Sequence, residues 1–457
     1  MGRAASVEEH REQVEADEEV LARVAAIDVA KASGMVCTRI PHESRPGRRI
    51  TKTWQVGATT GSIIELADHL VCQGVERVVV ESTSDYWRPF FYLMEARGLS
   101  VWLVNARDVK NVPGRPKTDK LDAVWLAKLN ERGMLRHSFV PPRQIRQLRD
   151  YTRMRLDLTE ERSRHKQRME KILEDALIKL STVATDIFGV SGRLMIEALI
   201  AGERDARVLA DMARGRMRSK NPALIAALTG QFDDHHAELA QMILDQVDVL
   251  TRQIDRLTAR IEELIAAIPH AQACDDVLPG NDPDEGGETD PAAPPLPAID
   301  RLDEIPGIGR RAAQIIIAEI GLDMTRFPTS GHLVSWAKLC PRTLQSGAKT
   351  RAGKTGKGNH YLKGVLGEVA TAAAKTQTFL GERYRRLVKR MGKPKALVAV
   401  ARSILVIIWE LLADPTARFH DLGVDFHTRR INIGRKTRDH IRQLETLGFK
   451  VTIEPAA

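Results

Sequence analysis

Cysteine is scarce and scattered. The four cysteines, Cys37, Cys72, Cys274 and Cys340, form no C-x-x-C pair. That argues against a disulfide framework and a cysteine-held structural zinc, and it fits a reducing cytoplasm. Aromatic residues are only 5% of the chain, so broad base-stacking platforms are not expected. No apolar run is long and clean. The longest, Ala396 to Ala413, is interrupted by Arg402, Ser403 and Glu410, and reads as a buried helix rather than a membrane span. The first residues are polar and charged, with no visible secretory signal. Residues 324–367 contain no acidic side chain at all.

Against these absences stand 457 residues, 43% of them hydrophobic, which is enough for two or three domains with cores of their own. The formal net charge is +9 and the isoelectric point is near 9.4, which favours a polyanionic partner.

Apolar runs and turn residues predict strands over 24–30, 35–40, 51–56, 78–82 and 100–105, and helices over 62–73, 87–97 and 119–130. A hairpin of strands followed by strand–helix–strand–helix describes an α/β mixed sheet of the ribonuclease H type. Residues 1–22 read as a charged N-terminal tail and 23–142 as the α/β domain. Residues 143–274 read as a basic helical and coiled-coil region. Within it Ile243, Val247, Leu250, Ile254, Leu257, Ile261, Leu264 and Ile268 step by four and three, a heptad seam that needs a second helix from this chain or from a partner subunit. Residues 275–298, rich in Asp, Pro, Gly and Glu, read as a flexible acidic linker. Residues 299–413 read as a mostly α-helical C-terminal domain, and 414–457 as an extension.

Four carboxylates sit where chemistry is expected. Asp28 ends one apolar run and Glu81 another, while Asp119 and Asp122 lie three apart at the start of a helix. Carboxylates at strand ends are costly to desolvate unless cations offset their charge. In the ribonuclease H layout the first strand, the fourth strand and the last helix converge, so the four residues point to a pair of hard divalent ions, Mg²⁺ or Mn²⁺. The bland alternative is a surface aspartate, a helix cap at Asp119 and an ion-paired Glu81.

Basic residues supply the other motifs. Arg146, Arg149 and Arg153 lie in an arginine-rich helix that is either a solvated face or a tracker of nucleic-acid backbone. Pro306-Gly307-Ile308-Gly309 followed by Arg310 and Arg311 resembles a helix-hairpin-helix turn, in which glycines let backbone N–H groups approach a phosphate, or else it is a plain packing unit. The acid-free segment holds Arg342, Lys349, Arg351, Lys354 and Lys357 as candidate phosphate contacts. Its glycines lack the Walker spacing, which argues against nucleotide hydrolysis. Ser346 precedes a glycine there. A serine hydroxyl among cations can attack a phosphodiester, although Ser-Gly is also a common turn.

Taken together, Lys117-Thr-Asp-Lys-Leu-Asp-Ala, Ile305-Pro-Gly-Ile-Gly and Gln345-Ser-Gly make the chain resemble the DEDD transposases of bacterial insertion sequences, the bridge-RNA-guided recombinases. The resemblance covers roughly residues 23–412. It implies a RuvC-like N-terminal domain and a serine-containing C-terminal transposase domain. It implies Mg²⁺-dependent excision and insertion of DNA, with a structured noncoding RNA specifying the sites and a homo-dimer or homo-tetramer doing the work. By motif position Asp28, Glu81, Asp119 and Asp122 match the metal-binding carboxylates, and Ser346 matches the serine of the covalent DNA link. Two other readings use the same residues: a Holliday-junction-resolvase-like nuclease with water as nucleophile, and a non-catalytic nucleic-acid-binding protein.

Overall fold

The computed structural model describes residues 21–45, 47–82, 84–105, 119–268, 296–347, 349–429 and 433–452. The N-terminal tail, most of the acidic linker and the segment just before Asp119 lie outside these residues. The chain divides into two compact units, 1–140 and 141–457.

The first unit is built on one mixed sheet. Strands β1 (Val24–Val29), β2 (Ser33–Pro41), β3 (Arg49–Gly57), β4 (Arg77–Ser82) and β5 (Val101–Asn105) stand in the order β3-β2-β1-β4-β5. β1 runs antiparallel to β2 and parallel to β4, and β4 runs parallel to β5. That strand order and mixed direction fit the ribonuclease H-like expectation. The central strand β1 is apolar on both faces because helices cover both. Helices α1 (Thr60–Cys72) and α2 (Trp87–Ala96) close one face with Ile63, Leu66, Leu70, Phe90 and Met94 against Ala25, Ile27, Val78 and Val80. Helix α3 (Asp119–Glu131) closes the other with Ala123, Leu126 and Ala127 against Ala26, Cys37, Val79 and Val104.

The second unit begins with α4 (Arg143–Asp175). Three short helices follow: α5 (Val190–Ile200), α6 (Ala206–Asp211) and α7 (Asn221–Leu228). They wrap one end of α4 and of α8 (Asp234–Ala266), sharing a core of Met169, Leu173, Met195, Leu209, Leu228 and Leu244. Contacts of Asp175 with His236, Arg162 with Thr251, and Tyr151 with Arg260 align α4 and α8 antiparallel. The three-and-four seam lies on the face of α8 that this pairing covers: Val247, Leu250, Ile254 and Ile261 are buried. Its second helix therefore comes from the same chain.

The remainder of this unit comprises α9 (Ala298–Asp303), α10 (Arg310–Ile320), α11 (Ser330–Trp336), a hairpin of β6 (Pro341–Ser346) and β7 (Lys349–Thr355), α12 (His360–Ala373), α13 (Phe379–Met391) and α14 (Lys393–Ala413). Helix α14 is the apolar helix expected from sequence. It buries Ala396, Val400, Ile404, Leu405 and Ile408, and its Trp409 Nε1 donates to the Phe327 carbonyl at 2.8 Å. Two further helices, α15 (Phe426–Arg429) and α16 (Ile433–Thr446), lie in the extension. The extension is anchored at its start: Arg301 donates to the carbonyls of Leu411 and Asp414, and Arg418 binds Glu304.

Candidate active site and nucleic-acid interface

Strand register decides where the first two carboxylates stand. Ile27 is level with Val80 on parallel β1 and β4, so Asp28 and Glu81 are the next residues at the carboxyl ends of neighbouring strands. Adjacent strands lie about 4.8 Å apart. Side chains alternate along a strand. Ala26 and Val79 pack against α3, and Asp28 and Glu81, two residues further on, fall on that same face. Glu81 is only 4% exposed, and Asp28 is half-buried.

Helix α3 brings the other pair. Asp119 is its first residue, and Asp122 adjoins Ala123, which is packed in the core beneath the helix. The far end of α3 is pinned to the sheet. Buried Asn130 donates to the carbonyls of Ala25 and Arg77, at 3.1 and 3.2 Å, and so clamps the helix to β1 and β4. Glu131 binds Arg39 of β2 at 2.6 Å and Arg49 of β3 at 3.2 Å. Neither anchor is among the residues that the sequence singles out. A lone polar residue inside an apolar helical stripe is the available signal for Asn130. Cys37, on the same side of the sheet, is inert: burial raises its thiol to about 11 despite Arg39 and Lys128 nearby.

Among the described residues only Asp175, His235 and His236 bring three candidate ligand atoms within 4.8 Å of one another, so the carboxylates of the sheet and α3 are donors by type and by element. Asp28, Glu81 and Asp122 offer hard carboxylate oxygens from two adjacent strand ends and the facing helix. Such oxygens match Mg²⁺ or Mn²⁺ better than a sulfur- or nitrogen-preferring ion. Ionised carboxylates withdrawn from water beside one another repel, and a divalent cation offsets that cost.

In the second unit Ser346 ends β6, directly opposite Lys349 across the hairpin, with Gly347 in left-handed backbone at the turn. The Ser-Gly pair thus lies at the turn of a β-hairpin. Arg342 lies in β6, and Lys349, Arg351, Lys354 and Lys357 are all exposed. The hairpin base is tightly held. Gly358 has φ +58°, and a Cβ there would lie 2.7 Å from the Ala337 carbonyl oxygen. Next to it Asn359 caps α12 and donates to Glu319.

Glu319 is fully buried and carries a correction. Arg153 binds its carboxylate with two hydrogen bonds, 2.8 and 2.9 Å long, and stacks on Tyr361. Arg149 donates to the Ala318 and Glu319 carbonyls and lies 3.3 Å from the same carboxylate. Both arginines, expected on nucleic acid, thus hold α4 to α10 around a buried acid. The physical reason is desolvation: an unpaired carboxylate at that depth is too costly. Glu319 is detectable in sequence as the one acid within Gln-Ile-Ile-Ile-Ala-Glu-Ile. Arg146 donates to the Pro141 carbonyl at 2.9 Å.

The Pro306–Gly309 turn joins α9 and α10. Gly307 has φ +91°, and a Cβ there would lie 2.6 Å from the Val369 carbonyl oxygen of α12. The expectation that this glycine opens toward a phosphate is corrected: its missing side chain lets α12 approach. Gly309 is open and caps α10. Beside it lies a cavity of about 560 Å³ whose lining includes Thr159, Arg164, Arg311 and Glu368. Arg311 donates to Thr159 at 3.3 Å, and Arg310 lies loosely near Glu262 and Asp300.

Residues 25–178 match the family model DEDD_Tnp_IS110, described as a transposase. Residues 299–385 match the model described as transposase, IS116/IS110/IS902 family. An insertion element IS110 uncharacterized 43.6 kDa protein of Streptomyces coelicolor is 33% identical over 118 residues. That alignment spans 25% of this chain and 29% of the relative's length. A Thermus thermophilus RuvC structure aligns with 25% of this chain and 99% of its own, at 13% identity and a TM-score of 0.20. At that score the ribonuclease H-like assignment rests on the strand order instead. The two family matches together cover about half of the chain, the first over the carboxylates and α4, the second over the serine hairpin. The chain belongs to the IS110 family of transposases.

Proposed function

We propose that this chain is a site-directed DNA recombinase that cuts and rejoins DNA at the ends of an insertion element. The observation that carries the reading is the level placement of Asp28 and Glu81 on the sheet face covered by α3, the helix of Asp119 and Asp122. Those four residues would hold one or two Mg²⁺ or Mn²⁺ ions, which supply Lewis-acid stabilisation of phosphodiester oxygens when bound. Asn130 and Glu131 tie the far end of the helix to the sheet that carries Asp28 and Glu81.

The Ser346 hydroxyl attacks a DNA phosphodiester. Its proton leaves to solvent or to the departing oxygen, a phosphoserine ester forms, and a strand hydroxyl is released. Attack by a hydroxyl of the exchanged strand on that ester restores the serine and joins the DNA. Lys349, opposite Ser346, and the exposed Arg351, Lys354 and Lys357 hold the phosphates by charge. Gly309, Arg310 and Arg311 contact backbone in the manner of a helix-hairpin-helix. The antiparallel α4–α8 pair serves as a coiled-coil arm for assembly as a dimer or tetramer and for a structured guide RNA.

The test uses purified protein, a DNA carrying the element ends, and Mg²⁺ with the noncoding RNA transcribed from beside the element. Glu81→Gln and Asp122→Ala should abolish strand cutting, as should EDTA. Ser346→Ala should abolish both joining and a protein–DNA adduct that survives denaturant. Cutting by Ser346→Ala without any adduct in wild type would replace the serine with water and leave a resolvase-like nuclease. Full cutting by Glu81→Gln would remove the carboxylate role altogether.

A further inference from the structure

Residues 379–403 carry eight lysines and arginines against a single acid, Glu382. They span α13, the Gly392 corner and the first half of α14, which pack against each other. Arg385 takes the one acid, at 2.9 Å. Among the described residues Arg383, Arg386, Arg390 and Arg402 form no ion pair. Arg383, Arg386 and Arg390 are spaced three and four apart, one stripe of α13, and Arg402 comes from α14. The Nε of Arg383 is buried with no hydrogen-bond partner. Burial, and then the charges of Arg386 and Arg402, lower its affinity for a proton.

Like charges gathered this way repel, and a buried guanidinium N–H without an acceptor costs still more. Packing gives no reason to keep the others: α13 buries Leu380 and Gly381, and Arg386, Arg390 and Arg402 are exposed. An external anion on the exposed cations would relieve the repulsion. From Arg383 to Arg390 the stripe runs about 10 Å at 1.5 Å per residue, longer than one phosphate group and matched to a run of them. Guanidinium forks fit phosphate oxygens two at a time.

We propose that the α13–α14 cationic face binds the phosphodiester backbone of a nucleic acid, through charge and without reading bases. The proposal rests on the recombinase reading only for the class of partner. It is tested by binding, so failure of the Ser346 or carboxylate roles leaves its result unaffected.

The full-length triple variant Arg386→Gln, Arg390→Gln, Arg402→Gln is compared with a charge-matched triple, Arg207→Gln, Arg214→Gln, Arg216→Gln, drawn from exposed arginines elsewhere in this unit. Fluorescence anisotropy with a labelled DNA duplex and a labelled RNA hairpin is followed across a KCl series. The first triple should lose about tenfold or more in affinity for at least one probe, and its slope of log K against log salt should fall by about 2 to 3, at ~0.9 per phosphate contact released. The matched triple should lose less than about threefold. A loss confined to duplex assigns the face to DNA, one confined to the hairpin assigns it to RNA, and a loss on both assigns a shared backbone site. Equal losses in the two triples, or an unchanged salt slope in the first, overturn the proposal. If replacing Arg402 lowers the melting temperature, Lys389→Gln with Lys393→Gln, both exposed on the same stretch, takes the place of the triple, with a slope change of about 1 to 2 expected and an unchanged slope overturning the proposal.

Discussion

Two arginine-rich helices of one unit have opposite fates. On α4, Arg149 and Arg153 turn inward to the buried Glu319. On α13, Arg383, Arg386 and Arg390 meet no carboxylate. Both helices are basic and amphipathic, with several acids along α4 and the single Glu382 on α13. The difference is whether an acid from a distant segment arrives. On α4 Glu319 does, and Arg149 and Arg153 are structural; on α13 none does, and the exposed cations remain for an outside anion. Counting basic residues therefore measures the capacity to bind a polyanion but does not locate the surface.

The strongest way to break this comparison is Glu319→Gln. It leaves Arg149 and Arg153 without a counter-charge and should cost about 3 kcal/mol, read as a lower urea midpoint. A change under about 0.5 kcal/mol would put these arginines in the same class as those of α13. Next comes Arg155, which is 3% exposed, bonded to Gln314 at 2.7 Å, with its Nε and Nη2 unpartnered. Burial, opposed only weakly by Glu262 and reinforced by Arg311, pushes it down to about 10. It is an inward arginine without an acid, so Arg155→Met should be neutral or stabilising, within about 1 kcal/mol. A loss of about 3 kcal/mol would show that inward placement alone, not pairing, makes an arginine structural.

A third test uses pH. Arg193 of α5 grips Asp248 of α8 through two bonds of 2.5 and 2.6 Å, and holds that carboxyl below its ordinary value. Its folded pKa is depressed, so its contribution is complete above the unfolded value near ~3.9 and disappears as pH falls through the folded one. Asp248→Asn should cost under about 1 kcal/mol at pH 7, because the pair is partly exposed, and should flatten the acid side of the melting-temperature profile. The smallest effect belongs to the outward set. Arg386→Gln with Arg390→Gln should leave the urea midpoint within about 0.5 kcal/mol, the mark of side chains not used by the fold.

Much of the first unit is legible because its strands are buried on one or both faces. The expected strands at 24–30, 35–40, 51–56, 78–82 and 100–105 match β1 to β5 to within a few residues. The placement of Asp28 and Glu81 follows from the ends of those runs. The β6–β7 hairpin is not legible. Its residues, Pro341-Arg-Thr-Leu-Gln-Ser and Lys349-Thr-Arg-Ala-Gly-Lys-Thr, lack the apolar–polar alternation by which a half-buried sheet is read from sequence. Nor are α5 to α7 foreseeable, because short helices packed on a neighbour show little periodicity of their own. Lys338 sits at φ +56°, a conformation glycine adopts at less cost and one that no neighbouring residue type announces.

The order of apolar and polar residues by itself determined the elements: a two-faced central strand, carboxylates at two strand ends, and a three-and-four seam long enough for a 33-residue helix. Those are local properties, set by which side chains can face water at each step of the backbone. Tertiary structure alone decided which charges meet. Arg153 and Glu319 lie 166 residues apart, and no local pattern records that encounter. An ion pair depends on distance and desolvation in space, so the fates of Arg149, Arg153 and the α13 arginines waited on the packing of α4, α10 and α13.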